Sequence, residues 1–522
     1  MNNFRVRRLV ASSIALLTFM SGLAHAAADV EVKETVLGST HQLRIKSLTP
    51  SPDGKRLAYV ISHGKKAIQL VIDGKPDVTD YDGIAEQGIL FSPDSKRVAF
   101  LALAGTKWVV VIDGTVGQPY NTYVKGSLAF SPDSARWLVA ADSAGKRLLL
   151  VDGKPGKTYD DIINPHFSPD GKRVAYVART GSQYFAVIDG VQSPAVDAII
   201  DNRIIFTPDG KQTAYAARSE EKFMIVSATG EPKPFDAIIG GTLTYSSDGK
   251  RLAAGVAHGA NYFVIDNAVE GKPFDRIVTA SLAFSPDGQR LAYVAERDGK
   301  MLVVVDGKEE SSFDVIETPP VFSGDSKHLA YVTHAARSTK RGPKEDKDKP
   351  NVKTWTVIVD GKPAGAYDRI LSSPIFSAVG ARLALVVIDD RHLVVVADTK
   401  ESAAFDEILE APVYSSDGKR IAYAGRRGKE QFAVIDGVES EPNEAVGKLT
   451  FSPDGAHIAY EAQTSGDLHI HFDAAHTPGY SGVIHGAGIV FDGPSSLDTQ
   501  VYRVNELLSV HVKLAASEGP KK

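Results

Sequence analysis

Residues 167–178 read Phe-Ser-Pro-Asp-Gly-Lys-Arg-Val-Ala-Tyr-Val-Ala, and versions of this stretch return eleven more times between residues 48 and 491. The two ends of the stretch are apolar enough to be strands. Pro169, Asp170 and Gly171 between them form a turn, because proline presets φ, aspartate caps its own backbone and glycine takes the positive φ that closes the turn. The stretch therefore predicts a β-hairpin that joins the first two strands of a repeated unit.

The rest of each unit supplies two more strands. Residues 184–190, Tyr-Phe-Ala-Val-Ile-Asp-Gly, predict a third strand closed by an Asp-Gly turn, and a short fourth strand is expected at residues 159–162 and 235–238. The aspartate of the first turn recurs at Asp53, Asp94, Asp133, Asp170, Asp209, Asp248, Asp287, Asp325, Asp417 and Asp454, and two copies are degenerate, at residues 376–380 and 491–494. A period of about 40 residues with four strands per unit is typical of β-propeller blades.

The repeat resembles the TolB-like, WD40-like (PD40-type) propeller family of bacterial envelope proteins. Residues 284–293, Phe-Ser-Pro-Asp-Gly-Gln-Arg-Leu-Ala-Tyr, match the family motif closely, and the resemblance covers nearly the whole chain after the first fifty residues. The resemblance implies an all-β propeller fold, and the number of repeats gives about twelve four-stranded blades. The family motif consists of turn and core residues, so the resemblance implies no catalytic or ligand-binding residue.

Twelve units favour two six-bladed propellers in tandem, at residues 27–270 and 271–522. A seven-plus-five division and one large ring are the alternatives. The last unit ends before a fourth strand, and the strand predicted at residues 30–37 could close a ring by completing a blade. In the two-ring arrangement residues 30–37 complete the sixth unit and residues 274–277 complete the twelfth.

The amino terminus and the composition predict an exported protein. Residues 1–26 combine three arginines, an apolar run and a terminal Ala-His-Ala, which indicates a signal peptide by either the Sec or the twin-arginine route. The chain has no cysteine, which excludes disulfides and cysteine ligands, and its net charge of −5 makes it a poor candidate for nucleic-acid binding. We therefore expect a periplasmic or secreted protein without membrane insertion.

One segment breaks the pattern. Residues 338–353 are rich in lysine and aspartate, contain almost no apolar side chains and interrupt the eighth unit between its second and third strands. Such a composition predicts a flexible charged loop. The loop is either a solvated insertion or an electrostatic handle for an acidic partner.

A search for catalytic chemistry finds little. The chain has no phosphate-binding loop, no His-Glu-x-x-His helix and no nucleophile elbow. The one irregular cluster is His469, His471 and His485, for which a metal site and a purely structural role are the two interpretations. We expect no catalytic residue and no cofactor.

Binding residues are expected where the repeats differ. The connections from the second to the third strand and from the fourth strand to the next blade vary freely and share one rim of a propeller, and loops on a rigid scaffold commonly carry binding residues. The candidates directly after the second strands are Arg179, Arg218, Glu296, His334 and Arg426.

These observations predict a non-enzymatic scaffold that binds a protein or peptide partner in the cell envelope through this rim. The alternatives are a propeller enzyme of the metal-dependent lactonase or lyase type and a cell-wall carbohydrate binder. A carbohydrate binder would need exposed aromatic side chains, and only Trp108, Trp137 and Trp355 depart from the repeated aromatic positions.

Overall fold

The computed structural model describes residues 30–39, 47–63, 67–85, 88–228, 233–335 and 355–515. The predicted signal peptide and the charged loop at 338–353 lie outside these ranges. The described residues form twelve antiparallel sheets, each built on four successive strand positions, which confirms an all-β propeller of twelve four-stranded blades. None of the described residues belongs to a helix long and apolar enough to cross a membrane.

We number the blades 1 to 12 by the order of their two long central strands. The second strands are Leu57–His63, Val98–Ala104, Trp137–Ser143, Val174–Thr180, Thr213–Ser219, Leu252–His258, Leu291–Arg297, Leu329–His334, Leu383–Asp389, Ile421–Arg427, Ile458–Thr464 and Ser496–Arg503. The third strands are Ala67–Ile72, Lys107–Ile112, Lys146–Val151, Gln183–Ile188, Lys222–Ser227, Asn261–Asp266, Lys300–Val305, Trp355–Val359, His392–Ala397, Glu430–Ile435, Asp467–Phe472 and Glu506–Leu514.

The two flanking strands of each blade are shorter. The first strands, several of them in two pieces, are Thr49–Pro50, Gly83–Ile84 with Leu90–Phe91, Thr122–Tyr123 with Ala129–Phe130, Asp161–Phe167, Ala198–Phe206, Ala237–Ile238 with Thr244–Tyr245, Arg276–Ile277 with Ala283–Phe284, Val315–Ile316 with Val321–Phe322, Arg369–Ile370 with Ile375–Phe376, Glu407–Tyr414, Ala445–Phe451, and Gly482–Val483 with Val490–Gly493. The fourth strands are Lys75–Pro76, Thr115–Val116, Lys154–Tyr159, Val191–Gln192, Pro234–Phe235, Val269–Glu270, Lys308–Phe313, Lys362–Tyr367, Lys400–Glu401, Val438–Glu439, Ala475–His476 and, for blade 12, Val30–Ser39.

The central strands are apolar on both faces because each blade is sandwiched between two others. In blade 4, Val174 and Tyr176 pack against blade 3, whereas Ala175 and Val177 pack against blade 5. A strand that is covered on both sides reads as a continuous apolar run rather than as an alternating one. This explains the repeated Val-Ala-Tyr-Val-Ala sequence.

The blades form one closed circuit. Each hydrophobic cluster joins residues of two consecutive blades, and the circuit includes blades 6 and 7, where Val264 and Phe274 pack with Leu291, and blades 12 and 1, where Leu507 packs with Leu57. No break in packing marks the boundary expected near residue 270. The arrangement corresponds to the large-ring alternative.

The closing strand differs from the two-ring expectation. Val30–Ser39 pairs antiparallel with Glu506–Leu514, from Val30 opposite Leu514 to Ser39 opposite Glu506, so it completes blade 12. Its expected role as the closing strand is confirmed, but its expected place in the sixth unit is wrong. The physical reason is that blade 12 has an unpaired third-strand edge, whereas blade 6 already ends in Val269–Glu270.

The predicted fourth strands at residues 159–162, 235–238 and 274–277 are also wrong in part. Phe274 bridges to Tyr262 of blade 6, but Arg276–Ile277 pairs with Glu296 and Ala295 of blade 7. The same division separates Phe235 from Ala237–Ile238. These segments are therefore crossovers between blades, in which the aromatic residue belongs to one blade and the aliphatic residue to the next.

Candidate binding surface

The chain reversals lie on two rims of different character. In blade 4 the turn around Asp170 and the turn at Asp189 and Gly190 lie on one side, which we call the turn rim. The connection at Gly181 and the crossover at Asp197 lie on the other side, which we call the variable rim. The five predicted binding residues lie at the variable rim, but as the last or second-to-last residues of the second strands and not after them as predicted.

The turn rim is a repeated hydrogen-bonded structure. Ser168 Oγ donates to Asp170 Oδ1 at 2.6 Å, and the same carboxylate oxygen accepts the Lys172 N–H at 3.2 Å. These donors, with the serine hydroxyl first, lower the pKa of Asp170, and a hydroxyl lowers the pKa of the equivalent aspartates in the same way. The equivalents are Asp94, Asp133, Asp209, Asp248, Asp287, Asp325, Asp417 and Asp454. The interpretation of these aspartates as turn formers is confirmed.

In eight blades an arginine after the turn links one blade to the next, which the sequence analysis missed. Arg173 Nε donates to Asp189 at 2.8 Å in its own blade, and its Nη1 donates to the Lys211 carbonyl of blade 5 at 2.6 Å. The same guanidinium lies over the Phe206 ring of blade 5. Arginines with the same three contacts are Arg56, Arg97, Arg136, Arg251, Arg290, Arg382 and Arg420. The regular spacing between these arginines and the Asp-Gly turns that follow them in the sequence could have indicated these pairs.

The variable rim is held by the crossovers. In seven blades a carboxylate at the start of the crossover segment accepts a backbone N–H from the connection between the second and third strands of the following blade, as Asp160 does from Gly181 at 2.6 Å. Equivalent bonds join Asp82 to Gly105, Asp197 to Glu220, Asp236 to Gly259, Asp275 to Asp298, Asp406 to Gly428 and Glu444 to Gly466. The variable residues therefore stand on fixed turns.

Four of the five predicted binding residues are paired within their own blades. Arg179 lies 3.9 Å from Asp161, Glu296 pairs with Arg276 at 2.6 Å, His334 contacts Glu317 at 3.2 Å, and Arg426 pairs with Glu407 at 2.9 Å. Three of these partners lie on the first strand, directly opposite the residue they contact, and Glu317 follows Val315–Ile316. The structure distributes the residues around the rim and does not bring them together in one site.

Arg218 is different. It is exposed, and the residue opposite it on the first strand is Ala198, which carries no charge. Within the part of the chain that the structure describes, Arg218 makes no ion pair. Of the five candidates it is the guanidinium most available to a partner.

The three tryptophans occupy different environments. Trp108 lines a cavity of about 360 Å³ on the variable rim, together with Ala85, Tyr123 and Lys125. Trp355 stacks on His334, with ring centroids 4.4 Å apart. Trp137 lies beside the turn rim, in a groove between blades 2 and 3.

The predicted histidine cluster is only partly assembled. His469 and His471 lie on one face of the third strand of blade 11, and both rings contact His476, with centroids 5.0 and 5.4 Å apart. His485 is exposed in the crossover of blade 12. His471 stacks on Tyr460, and burial lowers its pKa to about 4. Among the described residues, the metal-ligating groups that come within 4.8 Å of one another do not include these histidines.

The comparisons with known proteins concern the fold. No family model and no curated protein matches the chain. Solved structures with a similar fold include TolB from Acinetobacter baumannii, with 19% identity over 50% of this chain and 61% of TolB and a TM-score of 0.20. They also include the Dos1 propeller, with 14% identity, 58% and 91% coverage and a TM-score of 0.27, and a GH74 enzyme of Niastella koreensis, with 12% identity, 90% and 84% coverage and a TM-score of 0.24.

Proposed function

We propose that this protein is a non-enzymatic periplasmic or secreted scaffold that binds another protein or peptide of the cell envelope through its variable rim. The observation that carries the proposal is the difference between the two rims. The turn rim repeats one arrangement of serine, aspartate and arginine, in which the charged groups bind each other. The variable rim presents side chains that differ from blade to blade, and in seven blades a crossover carboxylate fixes its turn.

The geometry of the variable rim suits recognition of a macromolecule. The five candidate side chains are spread over blades 4, 5, 7, 8 and 10, so a partner must cover several blades to contact more than one or two of them. Arg218 supplies an unpaired positive charge, and the crossover hydrogen bonds keep the neighbouring turns in place. A preorganised surface of this kind loses little conformational entropy on binding.

Site-specific photo-crosslinking in the producing cells tests the proposal. A photoreactive residue at Arg218 is expected to give a defined adduct with one envelope protein. The matched control is Lys211, which is exposed on the turn rim of the same blade. Arg218→Glu is then expected to weaken the purified pair by about tenfold or more, whereas Lys211→Glu leaves its affinity unchanged.

The outcome that contradicts the proposal is equally defined. Equal adducts from both rims, or equal loss of affinity from both charge reversals, would show that the variable rim has no special role. An activity of the purified protein toward a lactone or glycan substrate would instead favour an enzyme.

A carbohydrate binder is the second candidate, and the cavity beside Trp108 favours it. Indole faces stack on sugar rings, and Thr122 and Lys125 at the same cavity could bond to hydroxyl groups. Trp108→Ala is expected to abolish binding to cell-wall glycan fragments in calorimetry, with Trp137→Ala as the control on the other rim. Binding that survives Trp108→Ala would rule out this cavity as the glycan site.

A further inference from the structure

Blade 12 carries two carboxylates and an imidazole that converge on one point. Ligand atoms of Asp492, Asp498 and His511 all lie within 4.8 Å of one another, and His511 Nδ1 is 3.0 Å from Asp498 Oδ1 and 3.8 Å from Asp492 Oδ2. The three residues come from the first, second and third strands of the blade. The group therefore spans most of the sheet that closes the ring.

The repeat shows that these residues are specific to blade 12. Asp498 stands where the other blades place a buried alanine or leucine, such as Ala175 of blade 4 or Leu138 of blade 3. The residues equivalent to Asp498 in blades 1 to 11 are Ala58, Ala99, Leu138, Ala175, Ala214, Ala253, Ala292, Ala330, Ala384, Ala422 and Ala459. Asp492 replaces the serine that follows the strand aromatic, and the turn after it is one residue shorter. Folding of a blade does not require this chemistry.

The cross-strand partner has changed as well. His511 lies opposite Asp498, in a register where blade 4 pairs Ala175 with Ile188 and blade 2 pairs Ala99 with Ile112. An apolar pair has thus become an acid and an imidazole at the same place. Two coordinated departures at one point of a repeat indicate a function that the other blades lack.

One atom of the group lacks a hydrogen-bond partner. The Asp498 side chain is 3% exposed, and its Oδ2 atom accepts no hydrogen bond, although it lies 3.2 Å from Lys55 Nζ. The Lys55 ammonium instead donates to Asp492 Oδ2 at 3.0 Å. The Lys55–Asp498 contact is an ion pair without hydrogen-bond geometry, so it satisfies the buried oxygen poorly, and a directly coordinated cation would satisfy it better.

Lys55 determines how such a cation could enter. It reaches the group from blade 1, and its side chain remains 45% exposed. A long flexible side chain with this exposure can move into solvent without disturbing the core. The lysine thus competes with a metal ion for the two carboxylates but does not close the site.

We propose that Asp492, Asp498 and His511 form a binding site for a divalent cation of the zinc type, which displaces Lys55 and ties together the three strands of blade 12. Two carboxylates with one imidazole suit Zn²⁺ better than Ca²⁺ or Mg²⁺, which prefer oxygen ligands throughout. Ser496 Oγ donates to Asp492 Oδ1 at 2.5 Å and leaves the Oδ2 atom of that carboxylate for the metal.

Titration of the chelator-treated protein with Zn²⁺ tests the proposal. Calorimetry is expected to show one site per chain, and saturating Zn²⁺ should raise the melting temperature by about 3 °C or more. Asp498→Ala introduces the residue that most other blades have, so this variant should fold, and its affinity should fall by about tenfold or more. Lys55→Met keeps all three ligands and removes the competing ammonium, so it should bind Zn²⁺ more tightly than the unmodified chain.

A second set of measurements separates this site from other histidines. His471→Gln alters the cluster of blade 11 and should leave Zn²⁺ affinity unchanged. Co²⁺ should give a visible absorption band that disappears in Asp498→Ala and His511→Gln. The proposal is overturned if the unmodified chain shows no saturable site, if only Lys55→Met binds, or if His471→Gln rather than Asp498→Ala removes binding.

Discussion

Glu461 is a half-buried residue at a position where the other blades are uncharged. It lies in the second strand of blade 11, opposite Gly447 and Ile470, and its Oε1 atom has no hydrogen-bond partner. The equivalent residue is Val177 in blade 4 and Gln500 in blade 12. Burial is the largest cause that raises the pKa of Glu461 to about 7, with a smaller contribution from Glu410 and an opposing one from Lys448.

This pKa gives the stability of the protein a defined pH dependence. A group whose pKa is raised in the folded state stabilises the fold below its unfolded pKa of about 4.5, and that contribution is lost as pH rises through about 7. Glu461→Gln should therefore stabilise the protein at pH 8, by on the order of 1–3 kcal/mol, and change little at pH 5. Denaturant unfolding at the two pH values measures the difference. Equal effects at both would show that Glu461 is ionised in the folded protein throughout.

Gly171 shows how closely successive turns approach. Its φ is +74°, and a Cβ atom on it would lie 2.6 Å from Asp133 Oδ1 of the preceding blade. Ser134 takes the same place in blade 3 with φ 63°, and its hydroxyl accepts the Asp94 N–H. A side chain is therefore tolerated in this turn when it can form that hydrogen bond.

Gly171→Val is consequently expected to cost about 2 kcal/mol or more, since it adds backbone strain and a contact with Asp133 that valine cannot turn into a hydrogen bond. Gly171→Ser should cost clearly less. Gly190→Ala is the control for strain alone, because Gly190 has φ +80° and no atom within 4 Å of the added Cβ. Thermal melting ranks the three variants. A valine variant no worse than Gly190→Ala would remove the argument for contact between turns.

Among the secondary-structure elements, the hairpins of the turn rim could be predicted from the sequence, whereas the crossovers between blades could not. The Pro-Asp-Gly signal acts within a few residues, so local turn chemistry is enough to place both strands. A segment such as Phe274 to Ile277 is short and apolar, and nothing local shows that Phe274 belongs to one blade and Ile277 to the next. Likewise the ion pairs of Arg179 and Arg426 depend on first-strand register, which the sequence analysis did not assign.

The turn aspartates predict a steep loss of stability in acid. Their folded pKa values are lowered, to about 2 for Asp94 and Asp209, chiefly by the hydroxyl of Ser92 and Thr207. A lowered pKa contributes stability above the unfolded value of about 4, and the contribution is lost as pH falls toward 2. Replacing Asp170, Asp209 and Asp248 together by asparagine should therefore destabilise the protein at pH 6 and flatten the decline between pH 4 and 2. Urea midpoints across this range test it, and an unchanged acid slope would contradict the assignment.

The first and last described strands of the molecule meet at one seam between blades 12 and 1. Gly38 of the closing strand passes so close to blade 1 that a Cβ atom on it would lie 2.1 Å from Tyr59 Oη. Glu34 pairs with Arg503 at 2.5 Å and accepts the Tyr480 hydroxyl at 3.0 Å, so the closing strand is also tied to its own blade. The repeat could not reveal the number of rings, because every pair of consecutive blades packs alike and the angle between blades has no local signature.

Deletion of residues 30–39 tests the single ring directly. The strand buries Leu37, which is worth roughly 1.5–3 kcal/mol before ordering costs are subtracted, and it packs the half-buried Val30 and Val32 against the cluster between blades 11 and 12, each worth less. Such a loss is comparable to a stability margin of about 5–15 kcal/mol, so the truncated protein should melt at a much lower temperature or aggregate through the exposed edge of Glu506–Leu514.

Hydrogen exchange shows which blades lose protection in the truncated protein. One closed ring predicts that protection is lost first in blades 12 and 1, on both sides of the opened seam, while blades 6 and 7 keep theirs because Val264, Phe274 and Leu291 remain packed. Early loss of protection in blade 6 would instead indicate that residues 30–39 close a six-bladed ring.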